Sequence, residues 1–308
     1  MQNNIEYKDG LYRISLLGGE ARAFLIESTQ MCERARALHA MAKTPTAALG
    51  RTLTVTSVLG CMLKGKDESV TVRIDGGGPA GVVLAVGQSD GSVKGYVSNP
   101  LAEVPRRGEK LDVGALVGKT GMLTVIKDMH MRDPYVGQVH LVSGEIGEDF
   151  AMYFTASEQT PSLVSVGVLV ADKVVSAGGL IIQLMPGASE AAIRSIEMSA
   201  GMFMNISKTM QEYHLDGALE QLLTHLEPEV LEKIDVGYRC DCSREKVENM
   251  LLTLGAKELR DMQEKDGGAE VDCHFCNTRR KFSADDLQVL IDRCEAAKAE
   301  EAENEKKD

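Results

Sequence analysis

The chain has 308 residues, 44% of them hydrophobic, so it can form one sizeable core and a smaller second unit. Its 46 acidic residues outnumber 34 basic ones, and the formal net charge of -12 argues against nucleic acid or an anionic membrane as a partner. No apolar run approaches the roughly 18 residues that a membrane span needs. Residues Met1 to Gly10 lack the charged start and apolar stretch of a secretion signal. We therefore expect a soluble, cytoplasmic protein.

The first part of the chain, residues 1–187, predicts a domain of mixed sheet and helix. Helical patterns cover Ser28 to Ala42 and Thr46 to Leu63, with Pro45 between them. Short β-branched runs separated by Gly, Asp and Ser then follow without regular strand-helix alternation, which favours the α+β class over a doubly wound sheet. These runs are Val70 to Ile74, Val82 to Val86, Val93 to Val97, Met122 to Ile126, Ser165 to Ala171 and Leu180 to Met185.

Residues 188–235 predict a helical linker, because apolar residues such as Ile193, Ile196 and Phe203 recur at helical spacing. Four methionines crowd its first half. We expect them to fill a core; the alternative is a surface that repacks against varied partners, which the flexible thioether suits. The four are Met198, Met202, Met204 and Met210.

Residues 236–308 predict a small C-terminal domain with two helices and a charged tail. The part from Val236 to about Ala297, which holds the cysteines and both helices, is too small to be secure on apolar burial alone, since domains under roughly 70 residues usually need a staple. The first helix is expected to begin near Ser243, and the second follows Ser283 and carries Cys294 on its apolar face. The tail, from Glu295 to Asp308, is expected to extend the last helix and fray into solvent.

The staple is predicted by four of the seven cysteines. Cys240 and Cys242 form a C-x-C pair, and Cys273 and Cys276 form a C-x-x-C pair after thirty intervening residues. Four thiolates complete the tetrahedral shell of one zinc ion. His274 lies inside the second pair, but the four sulfurs already fill the shell, so we expect it to be exposed.

Such a site has two interpretations. It can be a plain structural staple, or it can be a redox sensor. A plain staple is the more usual role of a four-cysteine site. Two details point towards the sensor: neighbouring thiolates are well placed to trap a sulfenic acid, and the ionised sulfurs of a zinc site are oxidisable, although coordination also shields them. Metal binding and local folding are coupled in a segment this small, so metal loss would unfold it. Arg244, Arg279, Arg280 and Lys281 could offset the negative charge of the cluster.

No catalytic constellation emerges elsewhere. The glycine-rich stretch Asp75 to Gly81 lacks the ending of a phosphate loop and is expected to be a turn between strands. Cys32 and Cys61 fall in the two helical patterns and are expected to be buried and unreactive. The string Tyr153 to Ser162 has no evident chemistry. We expect no enzymatic activity.

With these residues in view, the chain resembles the 33-kilodalton heat-shock chaperonin family over essentially its whole length. The resemblance rests on the two cysteine pairs and on three further stretches, which are Asp75 to Gly81, Tyr153 to Ser162 and Gly178 to Gly187. It implies an N-terminal α+β domain, a linker folded on it, and a zinc domain that holds the linker in place while the cysteines are reduced.

The resemblance also implies a function. Such proteins are redox-regulated, ATP-independent holdases for unfolded proteins, and they tend to form homodimers when active. It implies that oxidants join Cys240 to Cys242 and Cys273 to Cys276, release zinc, and unfold the zinc domain and the linker, which exposes apolar binding surface.

Two other functions stay open at this stage. One is a zinc-ribbon module that binds constitutively, possibly to nucleic acid, although zero tryptophan and 4% aromatic residues argue against base stacking. The other is a thiol-disulfide oxidoreductase, whose C-x-x-C usually opens a helix in a βαβ setting that this sequence lacks.

Overall fold

A computed structural model describes residues 8–304, with side chains through residue 297. The chain divides into two compact units, Met1–Arg239 and Cys240–Asp308. Both contain helices and antiparallel strands, so the α+β class predicted from the sequence is confirmed. The domain limits at residues 187 and 235 stay predictions. Residues 1–7, and residues 305–308 of the charged tail, lie outside the described residues.

The first unit contains eleven strands and six α-helices within its described residues. The strands are β1 (Gly10–Leu16), β2 (Ala21–Glu27), β3 (Ser69–Asp75), β4 (Val82–Gln88), β5 (Ser92–Val97), β6 (Met122–Asp128), β7 (Tyr135–His140), β8 (Ser162–Val170), β9 (Val174–Leu184), β10 (Glu229–Asp235) and β11 (Gly237–Tyr238). The helices are α1 (Thr29–Leu38), α2 (Lys43–Cys61), α3 (Val113–Val117), α4 (Gly147–Ala156), α5 (Glu190–Phe203) and α6 (Ile206–Leu223).

These strands form two sheets. Sheet A has the order β10-β1-β2-β9-β8, and its neighbouring strands are antiparallel. Sheet B has the order β11-β5-β4-β3-β6-β7, in which only the short β11 pairs parallel, with β5. Helix α2 is almost wholly buried and contacts strands of both sheets. Pro45 lies in the first turn of α2, where proline is tolerated because the backbone N-H there has no helical partner.

Sheet A is covered on both faces, as the alternation of its side chains requires. Leu11, Phe24 and Ile26 face the core that includes α2. Ile14 and Leu25 lie on the other face, in a second core with buried residues of α5 and α6. Side chains alternate between the faces of a strand, so apolar residues at successive positions of β2 need a partner on each side. The two helices of the predicted linker supply one of those partners.

Two expectations for the predicted linker are wrong. The segment Glu229–Asp235 is the edge strand β10, paired with β1, and is not helical. Three of the four methionines do not fill a core, because Met198, Met202 and Met204 are 87%, 50% and 78% exposed, whereas Met210 is fully buried. Helical spacing alone could not show that only one side of α5 has a sheet to pack against.

The second unit contains α7 (Arg244–Leu252), α8 (Ala256–Asp266), β12 (Gly268–Asp272), β13 (Arg279–Ser283) and α9 (Ala284–Asn304). Helix α8 was not expected, so the prediction of two helices is wrong for the described residues. Its apolar stripe is short, since its buried residues are Ala256 and Leu259 and most of its other positions are charged. The last helix extends into the charged tail as far as Asn304, as expected. Among the described residues, no helix is both long and apolar enough to cross a membrane.

Candidate metal centre

Two loops of the second unit bring the four cysteines together. Cys240 and Cys242 precede α7, and the Ser243 side chain caps that helix by accepting a hydrogen bond from the Lys246 backbone N-H (3.1 Å). Such a cap fixes where the helix begins, and with it the direction of the preceding loop. Cys273 and Cys276 lie in the turn between β12 and β13.

Backbone hydrogen bonds fold that turn into a knuckle. The Cys273 N-H donates to the carbonyl oxygen of Thr278 (3.1 Å), and the Asn277 N-H donates to the carbonyl oxygen of Cys273 (2.8 Å). Asn277 has a φ of 54°, in the left-handed region that asparagine tolerates better than most residues. The knuckle therefore points both sulfurs of the C-x-x-C pair at one place.

The four Sγ atoms lie within 4.8 Å of one another, so the four cysteines could hold a metal ion. The distance from Cys240 Sγ to Cys273 Sγ is 3.7 Å, and that from Cys242 Sγ to Cys276 Sγ is 3.2 Å. Four sulfurs at about 2.3 Å from one zinc ion lie about 3.8 Å apart, so the donor set and its spacing fit a tetrahedral thiolate site.

Arg280 joins the two loops. From β13 its guanidinium donates two hydrogen bonds to the backbone carbonyl oxygen of Cys242, one of them from Nε at 3.1 Å. Arg244, in the first turn of α7, lies over the ring of Phe282 at 4.5 Å and pairs with Asp286 at 2.7 Å. The Arg280 side chain thus links the backbone of the C-x-C loop to strand β13, which follows the C-x-x-C turn. This link adds to the contacts between the sulfurs of the two loops.

The other basic residues near the cluster have different partners from those expected. Arg279 pairs with Asp272 at 2.8 Å, and Lys281 pairs with Glu270 at 2.6 Å. These charges neutralise carboxylates of the hairpin itself. Of these basic residues, Arg280 donates hydrogen bonds to a cysteine of the cluster.

The thiols of the cluster differ in acidity. Burial raises the pKa of Cys240 and of Cys242. Burial also acts to raise the pKa of Cys276, but hydrogen bonds with the hydroxyl and the backbone of Thr278, together with those to the Cys242 and Cys273 sulfurs, lower that pKa to about 6. The Cys276 sulfur lies 3.2 Å from Thr278 Oγ1. A hydroxyl that donates to a sulfur stabilises its thiolate form, which is the form that binds metal.

The remaining cysteines and His274 are placed as expected. Cys294 is buried on the apolar face of α9, and its thiol contacts the carbonyl oxygen of Leu252 at 3.6 Å. Cys32 and Cys61 are buried in the first unit, and burial raises the pKa of each to about 12, which disfavours the reactive thiolate form. His274 is exposed and is not part of the four-residue group.

The core beneath the cluster is small. It is formed by buried side chains of α7, α8, α9 and β13, namely Leu251, Ala256, Leu259, Phe282, Leu287, Leu290, Ile291 and Cys294. A core of this size supplies only a few kcal/mol of net stability in a domain this short. Ligation by the four cysteines would therefore decide whether the second unit is folded.

Comparison with known proteins assigns a family. The model of the Hsp33 protein family matches residues 9–283. The chain belongs to the Hsp33 family. Its Hsp33 relatives include the 33 kDa chaperonin of Alkaliphilus metalliredigens, 44% identical over 286 residues, which are 92% of this chain and 98% of the relative. The 33 kDa chaperonin of Clostridioides difficile is 44% identical over 287 residues, with 92% of this chain and 99% of the relative covered.

A solved Hsp33 structure has the same fold. The crystal structure of the 33 kDa chaperonin (heat shock protein 33 homolog) from Thermotoga maritima superposes with a TM-score of 0.82. It is 37% identical, and the match covers 93% of this chain and 98% of that one. The family resemblance stated from the sequence is therefore confirmed.

One stretch of the Hsp33 resemblance has a structural role that sequence reasoning missed. Tyr153 and Phe154 of α4 are buried in an aromatic cluster with Phe150. The Tyr153 hydroxyl donates to Glu158 Oε1 at 2.7 Å, and Glu158 also pairs with Lys127 of β6. The stretch thus anchors α4 to sheet B. Only the three-dimensional contact with Lys127 could reveal this role.

Proposed function

We propose that this Hsp33 chain is a redox-regulated, ATP-independent holdase chaperone of the cytoplasm. In its reduced form it binds one zinc ion through Cys240, Cys242, Cys273 and Cys276. The observation that carries the proposal is the convergence of four sulfurs within 4.8 Å in a unit with a small apolar core. A metal site on which the local fold depends can act as a switch.

Zinc suits this donor set better than other common ions do. Soft thiolates select zinc or iron-sulfur chemistry over calcium, magnesium or manganese, and a closed shell of four sulfurs is typical of structural zinc. Bound zinc would keep the sulfurs ionised and hold the two loops together. The side chains that would support the ligands are Thr278, beside Cys276, and Arg280, on the carbonyl oxygen of Cys242.

Oxidation would remove the ligands in pairs. Two thiols and one molecule of hydrogen peroxide give one disulfide and two molecules of water, through a sulfenic acid on the first sulfur that the second attacks. We propose that Cys240 pairs with Cys242 and that Cys273 pairs with Cys276. Each disulfide uses both thiolates of its loop, so a chain with both bonds has no ligand left for the metal, and the second unit would unfold.

The surface for unfolded clients would come from the first unit. Helices α5 and α6 cover one face of sheet A, where Ile14, Leu25 and Ile182 are buried against residues such as Phe203 and Leu222. We propose that these helices form the linker and detach when the second unit unfolds. The uncovered apolar face would bind exposed apolar segments of client proteins and would favour a homodimer of the oxidised chain. The strongly acidic chain is not expected to bind nucleic acid or membranes.

The test is suppression of client aggregation in vitro without nucleotide. A chemically denatured client is diluted into reduced protein or into protein treated with peroxide at a mildly unfolding temperature, and light scattering is followed. Only the oxidised protein should suppress aggregation, and reductant with zinc should reverse the effect. A matched control is Cys61→Ala, which removes a cysteine from the large core of the first unit and should respond like the wild type. Equal suppression by reduced and oxidised protein would favour a constitutive binding module, and turnover of a model disulfide would favour an oxidoreductase.

A further inference from the structure

The carboxylate at the end of β2 is buried under helix α6. Glu27 has a side chain only 5% exposed. Its Oε1 lies 2.9 Å from His214 Nδ1, and its Oε2 accepts a hydrogen bond from the Leu215 backbone N-H at 2.9 Å. The first contact is a hydrogen bond in which His214, with a proton on Nδ1, donates to the carboxylate oxygen. One buried carboxylate on sheet A thus binds two consecutive residues of α6.

These two residues lie where α6 is interrupted. His214 has φ 54° and ψ -169°, so the helix is broken into two segments at this point. Residues other than glycine rarely adopt this conformation, and it persists only where its surroundings hold it. The N-H of Leu215 opens the second segment, where a helix leaves backbone donors without internal partners. Glu27 satisfies that donor, and its negative charge suits the positive end of a helix.

The backbone around Glu27 leaves room for α6 to approach closely. A Cβ atom built on Gly178, which pairs with Glu27 across β9, would lie 2.7 Å from Cγ of Met210. A Cβ atom on Gly10, which pairs with Glu27 across β1, would lie 3.1 Å from Cδ2 of Leu215. The two neighbouring strands therefore carry glycine on both sides of Glu27, where α6 crosses the sheet.

Other polar contacts between α6 and sheet A should hold the helix less firmly than Glu27 does. Asp216 accepts a hydrogen bond from Tyr12, but its side chain is 77% exposed, and exposed pairs contribute little because water competes for them. Ser176 donates to the carbonyl oxygen of Ser207 at 2.8 Å, a neutral contact. Glu27 differs because leaving a buried carboxylate without a donor is costly.

We propose that the contact of Glu27 with His214 and Leu215 is a latch that holds α6 on sheet A and sets how readily the helix detaches. Glu27 and His214 are positioning residues for client binding, and neither needs to touch a client. The strained backbone at His214 favours release of the helix. Once α6 has detached, water can donate hydrogen bonds to Glu27 in place of His214 and Leu215. This inference rests on the proposed function, in which detachment of α5 and α6 uncovers the client surface.

The test is hydrogen-deuterium exchange of the full reduced, zinc-loaded chain, read at the amides of α6. Exchange of these amides reports the equilibrium between attached and detached helix, and it does not depend on any chaperone assay. The variants are Glu27→Met, which leaves both donors without an acceptor, His214→Ala, and the pair combined. His214→Asn restores a side-chain N-H donor, and His140→Ala removes an exposed imidazole from β7 as a matched control.

Each single latch variant should raise exchange in α6 by about tenfold or more, since a hydrogen bond to a buried charged group is lost. The combined variant should raise exchange in α6 by much less than the product of the two single effects, because both substitutions break the same contact. His214→Asn should restore most of the protection, and His140→Ala should match the wild type. Strands β3 and β4 should keep their protection throughout, which separates a detached helix from a misfolded chain.

Unchanged exchange in α6 for both single variants, or effects that multiply fully in the combined variant, would overturn the latch. Client binding by the reduced latch variants is measured as well, and it separates failure of the latch from failure of the proposed function. If α6 is released in the latch variants and the reduced protein still binds no client, the latch stands and the proposed client surface fails.

Discussion

Arg280 on β13 and Cys242 in the loop before α7 are joined by two hydrogen bonds from the guanidinium to one backbone carbonyl oxygen. The contact fixes the C-x-C loop against the hairpin that carries the other two sulfurs. Arginine can do this because its donors form a planar fork, which lysine lacks.

This contact predicts that Arg280→Ala weakens metal retention. Removing a group that supports a metal ligand from outside the metal shell typically lowers metal affinity by 10- to 100-fold. We therefore expect the variant to lose zinc to a coloured chelator at least about ten times more readily than the wild type does. Arg280→Lys should rescue only part of the effect. Arg279→Ala, which removes an exposed partner of Asp272, is the control and should release zinc like the wild type. Equal release from all variants would contradict a supporting role for Arg280.

A second prediction compares two methionines of the proposed linker. Met210 is fully buried between α6 and sheet A, whereas Met198 is 87% exposed on α5. Met210→Ala should destabilise the attached helix by about 2 to 5 kcal/mol, the usual cost of a large-to-small change in a core. Reduced protein with this change should therefore suppress client aggregation without oxidant. Met198→Ala should stay inactive until oxidised, and identical behaviour of the two variants would count against α6 as a cover.

A third prediction concerns pH. Burial raises the pKa of Asp9 from 3.8 to about 7, even though the backbone N-H groups of Met31 and Gln30 donate to its carboxylate and act to lower it. Between these two values the folded chain keeps a proton that the unfolded chain releases. The free energy of unfolding should therefore fall as pH rises from about 4 to 7, by on the order of a few kcal/mol.

Asp9→Asn should flatten this part of the profile, because the amide does not titrate. The measurement is urea unfolding of wild type and variant at a series of pH values, followed by a signal from the first unit. A parallel pair of profiles would mean that Asp9 is already ionised in the folded chain.

A fourth prediction concerns the buried thiols. Cys32 and Cys61 should resist alkylation in the native chain, because burial raises the pKa of each to about 12 and leaves almost no thiolate at neutral pH. Mass spectrometry after a pulse of N-ethylmaleimide at pH 7.5 should find both labelled only in denaturant. Rapid labelling of either in the native chain would reveal a local opening of α1 or α2.

The sequence predicted the convergence of the four cysteines better than it predicted the limits of the helices and strands. Cysteine spacing is a local pattern with a strict chemical reason, and all four predicted residues lie within 4.8 Å of one another. Strands were also predicted where apolar and polar residues alternate, as in β3 and β4. Runs of that kind predict a strand with one buried face.

Other elements depend on contacts that no local pattern contains. Strand β10 reads Glu-Val-Leu-Glu-Lys-Ile-Asp, and most of its side chains are exposed, so its pairing with β1 is decided by the backbone edge of sheet A. The contact between Glu27 and His214 joins residues 187 positions apart, and neither lies in a recognisable motif. A buried carboxylate can be identified only when the apolar elements around it are known.

One experiment tests most directly whether the cysteine cluster controls exposure of the client surface. Zinc release, hydrogen-deuterium exchange of α5 and α6, and suppression of client aggregation are followed together after addition of peroxide at a mildly unfolding temperature, in wild type and in Cys273→Ser. In the wild type we predict that zinc leaves, the two helices lose protection and client binding rises in step, and that reductant with zinc reverses all three. Cys273→Ser, with one ligand lost, should hold zinc poorly and should show less protection in these helices before any oxidant is added. If peroxide leaves the zinc bound, or removes it without any change in the helices or in client binding, the cluster is a structural staple and does not control client binding.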